Sequence, residues 1–401
     1  MQGEVVARRV EVVRPSIRQE VECESWDYAE ADTQHLTHGI HRYSGKFIPQ
    51  IASRAIRILT EPGELVLDPY CGSGTTLVEA ALLGRAALGI DLNPLAVLIA
   101  RSKVTPVTAR ELEELNRCFA NLIAAIADTE GGSLFEPSAT DKRLVSEARR
   151  DPRRHDPWFR KWFQGDVLDD LLVIDHAIDQ LKDPTLRTVA RVAFSDILRR
   201  SSKAHSGYPN VMFDKSAPKK ERPGKAFQRA LENICRMIQT LSGAGVDWTK
   251  VSVREGNATS TGLEDDSVDA IVTHPPYVGS IPYAEYGLLS LKWLGVDPKG
   301  LDRALTGGRR QTADVVQRFR NDYGLMFQEA FRVLRPGRHL FVMVGNPVVK
   351  GSVVDLTHMT QALATEAGFG MVVATSRKGI NRRANKMGEE ALLFFQKAPR
   401  G

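Results

Sequence analysis

The sequence predicts an α/β protein: a doubly wound sheet interrupted by a mainly helical insertion. Three observations predict it. Residues 64–91 read as strand, glycine-bearing turn, helix, second strand and terminal acid, the opening of such a sheet. From about residue 109 to 249 the strand rhythm gives way to helical periodicity. Strand character then resumes and alternates with helices. Segments 1–109 and 250–401 are therefore expected to form one discontinuous α/β domain, with 110–249 inserted into it.

In chain order, "ELVLDPY" reads as a short buried strand ending in Asp-Pro. The turn "CGSGTT" follows, then the helix "LVEAALLG", closed by Gly84. "RAALGIDLN" is a second strand ending at Asp91, and "LAVLIARSK" a helix after Pro94. In the insertion, "ARELEELNRCFANLIAAIAD", "LDDLLVIDHAIDQL", "LRTVARVAFSDILRRSS" and "KAFQRALENICRMIQTL" carry apolar residues at helical spacing. A loop rich in glycine, serine and proline at 130–141 and a polar, basic stretch at 201–225 lie between them. "VSVREGNA" and "SVDAIVTHPPY" restore the strands. After them come the helix "YGLMFQEAFRVL", the turn "RPGR", the strand "HLFVMVGN" and the helix "LTHMTQALATEAG". The strands "FGMVVATSRK" and "EEALLFFQK" complete the pattern, and no internal repeat is apparent.

A chain of 401 residues suffices for a full-sized core. Its 42% hydrophobic and 26% charged residues are those of an ordinary soluble globular protein. No run of about 18 apolar residues is present, so no membrane span is expected. The first residues alternate valine with charge and lack the apolar centre of a secretory signal. Cys23, Cys71, Cys118 and Cys235 are scattered without C-x-x-C spacing, which implies reduced thiols and a cytoplasmic location. His35, His38 and His41 lie close together, but no cysteine or acid completes a convincing zinc set, so no metal is expected. The net charge is +5, with basic residues clustered at 142–161, 199–229, 303–320 and 377–386. Such clusters can meet a polyphosphate backbone or stand as solvated faces.

The glycine turn has a chemical reading. Gly72 and Gly74 let backbone approach a ligand closely, and the helix that follows offers free N–H groups. The spacing is neither that of a P-loop nor of G-x-G-x-x-G. With Asp68 ahead of it and Asp91 about twenty residues on, placed to grip ribose hydroxyls, the turn points to a nucleoside-bearing cofactor. A structural glycine turn is the competing reading.

"THPPY", residues 273–277, ends a strand expected in the same sheet, at the edge where α/β ligands bind. Pro275 and Pro276 fix the backbone, so the carbonyls of His274 and Pro275 can be held rigidly towards a substrate. Tyr277 offers a flat ring for stacking. An exocyclic base amine is a poor nucleophile because its lone pair is delocalised, and acceptors around its N–H groups can draw the nitrogen towards tetrahedral geometry. In a duplex such a base must be flipped out. A rigid surface turn is the competing reading.

Taken with "HGIHRYSGKFIPQIASRAI" and "RVLRPGRHLFVMVG", these motifs resemble the DNA amino-methyltransferases of prokaryotic restriction–modification and related systems, which modify cytosine N4 or adenine N6. The resemblance implies a Rossmann-like class I methyltransferase fold and S-adenosylmethionine as cofactor. "LDPYCGSGTT" matches the cofactor loop, which implies cofactor-binding roles for Asp68, Tyr70, Cys71, Gly72, Ser73, Gly74, Thr75 and Thr76. Asp91 falls on the ribose-binding acid, Lys46 and Phe47 on a segment that can reach the cofactor. "HPPY" falls on the catalytic tetrapeptide, which makes His274, Pro275, Pro276 and Tyr277 the catalytic set.

Two positions depart from the family. Its tetrapeptide usually opens with Asp or Ser, whereas this one opens with His274. Neutral imidazole can accept a hydrogen bond and imidazolium cannot, so activity should fall on acidification, within pH 5–8 if His274 is the acceptor. Where an acid often meets the adenine, Asn257 offers an amide. "VTHPPY" is nearer the form associated with cytosine, so N4-cytosine is favoured over N6-adenine. An RNA amino-methyltransferase and an inactive nucleic-acid-binding relative stay open. Carbon-5 methylation is disfavoured because none of the four cysteines follows a proline. The resemblance implies double-stranded DNA as partner and a restriction endonuclease system beside it; it gives no oligomeric state. "ILRRSSKAHSGYPN" and the basic stretch after it are the candidate for target recognition, Tyr283 and Tyr286 can line a base pocket, and "WFRKWF" at 158–163 has the aromatic–basic mix of nucleic-acid surfaces or of a partly buried helix.

Overall fold

The computed structural model describes residues 15–128, 138–208, 210–279, 281–307, 314–378 and 388–400. The valine–charge alternation at the start, most of the 130–141 loop, and Arg309, Arg310, Arg382, Arg383 and Lys386 of the basic clusters lie outside them.

Nine strands are described: β1 (Leu65–Asp68), β2 (Ala86–Asp91), β3 (Val251–Glu255), β4 (Val268–Thr273), β5 (Leu334–Gly345), β6 (Val348–Val349), β7 (Ser352–Val353), β8 (Phe369–Lys378) and β9 (Glu389–Lys397). Seven form one sheet in the order β3-β2-β1-β4-β5-β9-β8, while β6 and β7 make a separate hairpin. Pairings from β3 through β5 are parallel, and β9 runs antiparallel between β5 and β8. This is a doubly wound, Rossmann-like sheet. β4 is buried at all six positions, as an apolar strand between parallel neighbours must be. The edge strand β3 exposes alternate residues instead.

Helices cover both faces. On one, Pro49–Leu59, Thr75–Leu82 and Pro94–Val104 pack on Val66, Ala87, Ala270, Val272 and Phe341. On the other, Val315–Val333 and Leu356–Glu366 pack on Leu67, Leu88, Ile271, Leu340 and Val342. The expected turn "RPGR" lies inside β5. Between Leu334, paired with Val268, and His339, paired with Ala270, the extra residues form a bulge with Gly337 at φ 79°. Apolar residues on both sides keep the strand in register, so the turn signal becomes a bulge.

Between β2 and β3 the described residues form helices, chiefly Ala109–Asp128, Ala139–Arg150, Gly165–Asp179, Pro184–Ser201 and Gly224–Ser242. Their apolar faces share one cluster with Ile40, Leu95, Ile99, Leu289, Leu291 and Trp293 of the flanking segments. Phe159, Trp162 and Phe163 of "WFRKWF" are buried there. The Trp293 ring lies 5.1, 5.8 and 5.0 Å from Phe159, Phe163 and Phe194. Those aromatics build core, and only Arg160 and Lys161 between them face solvent. Basic residues are also drawn into ion pairs: Arg153 meets Asp151 and Asp175 at 2.7 Å, Arg154 meets Asp169 at 2.7 Å, and Arg222 meets buried Asp170. Among the described residues no helix is long and apolar enough to cross a membrane.

Candidate active site

β1 ends at Asp68, whose buried carboxylate accepts from Thr76 Oγ1 at 2.6 Å, Thr273 Oγ1 at 2.7 Å and the Tyr70 amide at 3.1 Å. Asp68 thus ties the loop after β1 both to the following helix and to the end of β4. Burial pushes its pKa up to about 6 against those three hydrogen bonds. The loop turns through left-handed glycines: Gly72 at φ 49° and Gly74 at φ 80°. A Cβ on Gly74 would lie 2.9 Å from that of Ala100, so the loop closes onto helix Pro94–Val104 only with glycine.

The Gly72 amide donates to Asp91 Oδ2 at 2.9 Å, and the Asn93 amide to Oδ1 at 2.8 Å. Burial pushes Asp91 up to about 6 as well. Asp91 closes β2, and its neighbour in register, Glu255, closes β3, so Asn257 falls beside it at the same edge of the sheet. A cleft of about 580 Å³ opens there. Of the residues singled out from the sequence, Tyr70, Gly72, Asp91, Asn257, His274, Pro276 and Tyr283 line it.

The remainder stand behind the lining. Cys71, Ser73, Thr75 and Thr76 are buried, with Ser73 Oγ 3.4 Å from Nζ of the buried Lys103. Lys46 does not reach the cleft: its Nζ donates to the carbonyls of His38 and His41 at 2.7 and 2.8 Å, and burial pushes it down to about 8. Phe47 packs 5.5 Å from the His274 ring and 6.1 Å from Phe341.

At the end of β4 the turn His274–Tyr277 begins. His274 Nε2 lies 2.7 Å from Tyr277 Oη, which donates to Glu390 Oε1 at 3.1 Å. Glu390 Oε2 accepts from Arg377 Nη1 at 2.8 Å. Pro275 is buried behind the lining. Tyr277, expected to offer a free stacking plane, is instead 8% exposed, absent from the cleft lining and edge-on to His274 at 5.2 Å. Its two hydrogen bonds hold the ring in the core.

A second cavity of about 1300 Å³ adjoins the cleft, and Tyr43 and Tyr283 line both. Its walls carry Arg42, Asp196, Arg199, Arg200, Lys220 and Tyr286, so residues of the helical segment face a space next to the cleft that His274 and Pro276 line.

A family model described as a DNA methylase of the N6/N4 type matches residues 9–102. The type II methyltransferase M.MvaI of Kocuria varians is 24% identical over 386 residues, spanning 80% of each chain. The type II methyltransferase M.MjaII of Methanocaldococcus jannaschii is 23% identical over 330 residues, 63% of this chain and 61% of its own. A tRNA (guanine(10)-N2)-dimethyltransferase of the same organism is 31% identical over 74 residues, only 18% of this chain. Over these stretches the chain is similar to DNA amino-methyltransferases.

The cleft suits S-adenosylmethionine, the cofactor that the sequence implies. One carboxylate, Asp91, stands where ribose hydroxyls need acceptors, the Asn257 amide can meet an adenine edge, and Tyr43 and Tyr70 supply flat apolar surface. Gly72 and Gly256 leave backbone bare between them.

Other residues of the site carry no motif of their own. Asn93, Leu305 and Thr306 line the cleft, the last bonded by the Tyr70 hydroxyl at 3.4 Å. Glu390 and Arg377 lie more than a hundred residues from the turn they support and carry no local signal. An acid does join the histidines: His35, His38 and Glu79 hold ligand atoms within 4.8 Å of one another. His38 Nε2 lies 2.8 Å from Glu79, and its buried Nδ1 has no partner, whereas a metal-bound histidine normally donates its second N–H. The set reads as a buried hydrogen-bonded pair.

The pH expectation also changes. Burial pushes His274 down to about 4, with Glu390 raising and Arg377 lowering it by less. Imidazole is then neutral throughout pH 5–8, and a flat profile there is what an acceptor at His274 gives.

Proposed function

We propose that the protein is an S-adenosylmethionine-dependent DNA methyltransferase that modifies an exocyclic base amine, cytosine N4 before adenine N6, within a restriction–modification system. The observation that carries this reading is that Gly72, Asp91, Asn257, His274 and Pro276 line one cleft. Cofactor and base thereby meet without a covalent enzyme intermediate, and catalysis is positioning plus electrostatics. Bound there, S-adenosylmethionine supplies a methyl group on a sulfonium sulfur. Asp91 would hold the ribose and Asn257 the adenine. The rigid turn Pro275–Pro276 would hold acceptors on the amine, which would shed one proton to solvent as its nitrogen–carbon bond forms and the sulfur–methyl bond breaks.

Segment 110–249 would read the target. The cavity it shares with Tyr43 and Tyr283 carries Arg42, Arg199, Arg200 and Lys220, suited to phosphates flanking an extruded base. The test is incubation with labelled S-adenosylmethionine and, separately, DNA and tRNA, followed by mass spectrometry of the nucleosides. N4-methylcytosine from DNA is expected. N6-methyladenine overturns the base, label in tRNA alone overturns the substrate, and no label revives an inactive binding module.

A further inference from the structure

The hydrogen-bond chain behind the catalytic turn has a direction. Glu390 and Arg377 face each other in the β8–β9 register, and the guanidinium also donates to the carbonyls of Asp27 and Lys378 at 3.2 and 3.3 Å. The Glu390 carboxylate accepts Arg377 Nη1 at one oxygen and Tyr277 Oη at the other. The phenolic proton is therefore committed to Glu390. The 2.7 Å contact between Tyr277 Oη and His274 Nε2 then needs a proton on Nε2. Neutral imidazole carries a single N–H, so Nδ1 is left with a bare lone pair. That atom is buried and has no partner among the described residues, an arrangement costly enough to need a reason. His274 itself lines the cofactor cleft.

We propose that Glu390 and Arg377 are positioning residues for methyl transfer: acting through the Tyr277 hydroxyl, they hold His274 in the tautomer whose bare Nδ1 accepts a hydrogen bond from the target amine. This rests on the base-amine reading above. The opposite tautomer would present an N–H to the amine, donor against donor. The groups facing His274 are Tyr277, Glu390, Arg377 and the Phe47 ring, and burial keeps the imidazole neutral among them.

Two measurements on the full chain test this. Nitrogen NMR of labelled histidine at neutral pH should show His274 protonated at Nε2 and bare at Nδ1, with mixed tautomers in Tyr277→Phe and Glu390→Ala. A wild-type protein protonated at Nδ1 overturns the proposal. In kinetics, Glu390→Ala should lower kcat on the order of tenfold, the cost of one lost hydrogen bond. Affinity for S-adenosylmethionine and KM for DNA should hold. In a His274→Asn background, whose amide presents its oxygen without the chain, Glu390→Ala should add no further loss. Equal losses in both backgrounds, or weakened cofactor binding, would show a purely structural role and overturn it. If the wild-type protein methylates no DNA, the functional reading fails while the NMR result still decides the tautomer.

Discussion

Tyr43 stacks on Tyr283 with ring centroids 5.8 Å apart and planes 27° apart, and the pair is a partition between the cofactor cleft and the larger cavity. Tyr283 also presses on Gly45, where a Cβ would lie 2.7 Å from its hydroxyl. Tyr283→Ala should join the two spaces and cost about 0.5–1.5 kcal/mol of pair energy beyond buried area. Calorimetric titration should show S-adenosylmethionine affinity reduced severalfold in Tyr283→Ala and retained in Tyr283→Phe. Equal losses would assign the effect to the hydroxyl instead.

Gly74 and Gly63 both have positive φ, but only Gly74 has a neighbour in the way. Gly63→Ala should cost about 1–2 kcal/mol, the left-handed penalty alone. Gly74→Ala adds the collision with Ala100, about 1–3 kcal/mol more, and should loosen cofactor binding. Urea unfolding of the two variants separates the contributions.

Asp91 governs how cofactor affinity responds to pH. Its pKa is near 6, and only the ionised form would accept from two ribose hydroxyls. Affinity should therefore be constant above about pH 7 and fall below 6, by up to tenfold per pH unit. In Asp91→Asn the dependence should vanish, at a lower affinity. A wild-type curve flat from 5 to 8 would show that Asp91 does not bind as a carboxylate.

Turnover at saturating cofactor should respond elsewhere. With His274 near 4, kcat should stay level from pH 8 to 5 and drop only as 4 is approached, because protonation then fills Nδ1. Stopped-flow single turnovers keep this step separate from binding. A fall centred near 6 would point away from His274.

Trp293 joins the helical segment to the sheet through Phe159, Phe163, Phe194 and Arg153, whose guanidinium carbon lies 5.0 Å from the indole. Trp293→Ala should cost about 3–5 kcal/mol. Thermal denaturation should show one transition moved down, since the shared core leaves no seam for independent melting.

The parts legible in the sequence are those with local causes. β4 shows itself by an unbroken apolar run and the loop after β1 by its glycines. Residues whose meaning depends on distant partners were read less well. Asp68 belongs by motif to the cofactor loop, yet Thr76 and Thr273 take up its oxygens. Lys46 sits in a suggestive segment but is tied down by backbone carbonyls. "WFRKWF" has the composition of a nucleic-acid surface until Trp293, from beyond β4, covers its rings. Glu390 could not be found from sequence, because it reaches Tyr277 only through the β4–β5 and β5–β9 pairings.

The placement of the helical segment has a further consequence, for assembly in time. β1 pairs directly with β4, and the bond from the Leu65 amide to Asp269 spans 204 residues of sequence. The strand bearing Asp68 and the glycine loop must therefore wait, during synthesis, until the whole intervening segment has emerged. Closing so long a loop is slow, and an early helical core around Leu95 and Ile99 would shorten the effective search. The segment would thus act as a clamp that gathers the two halves of the sheet, and rapid helix formation followed by slow acquisition of cofactor binding is the refolding course to expect.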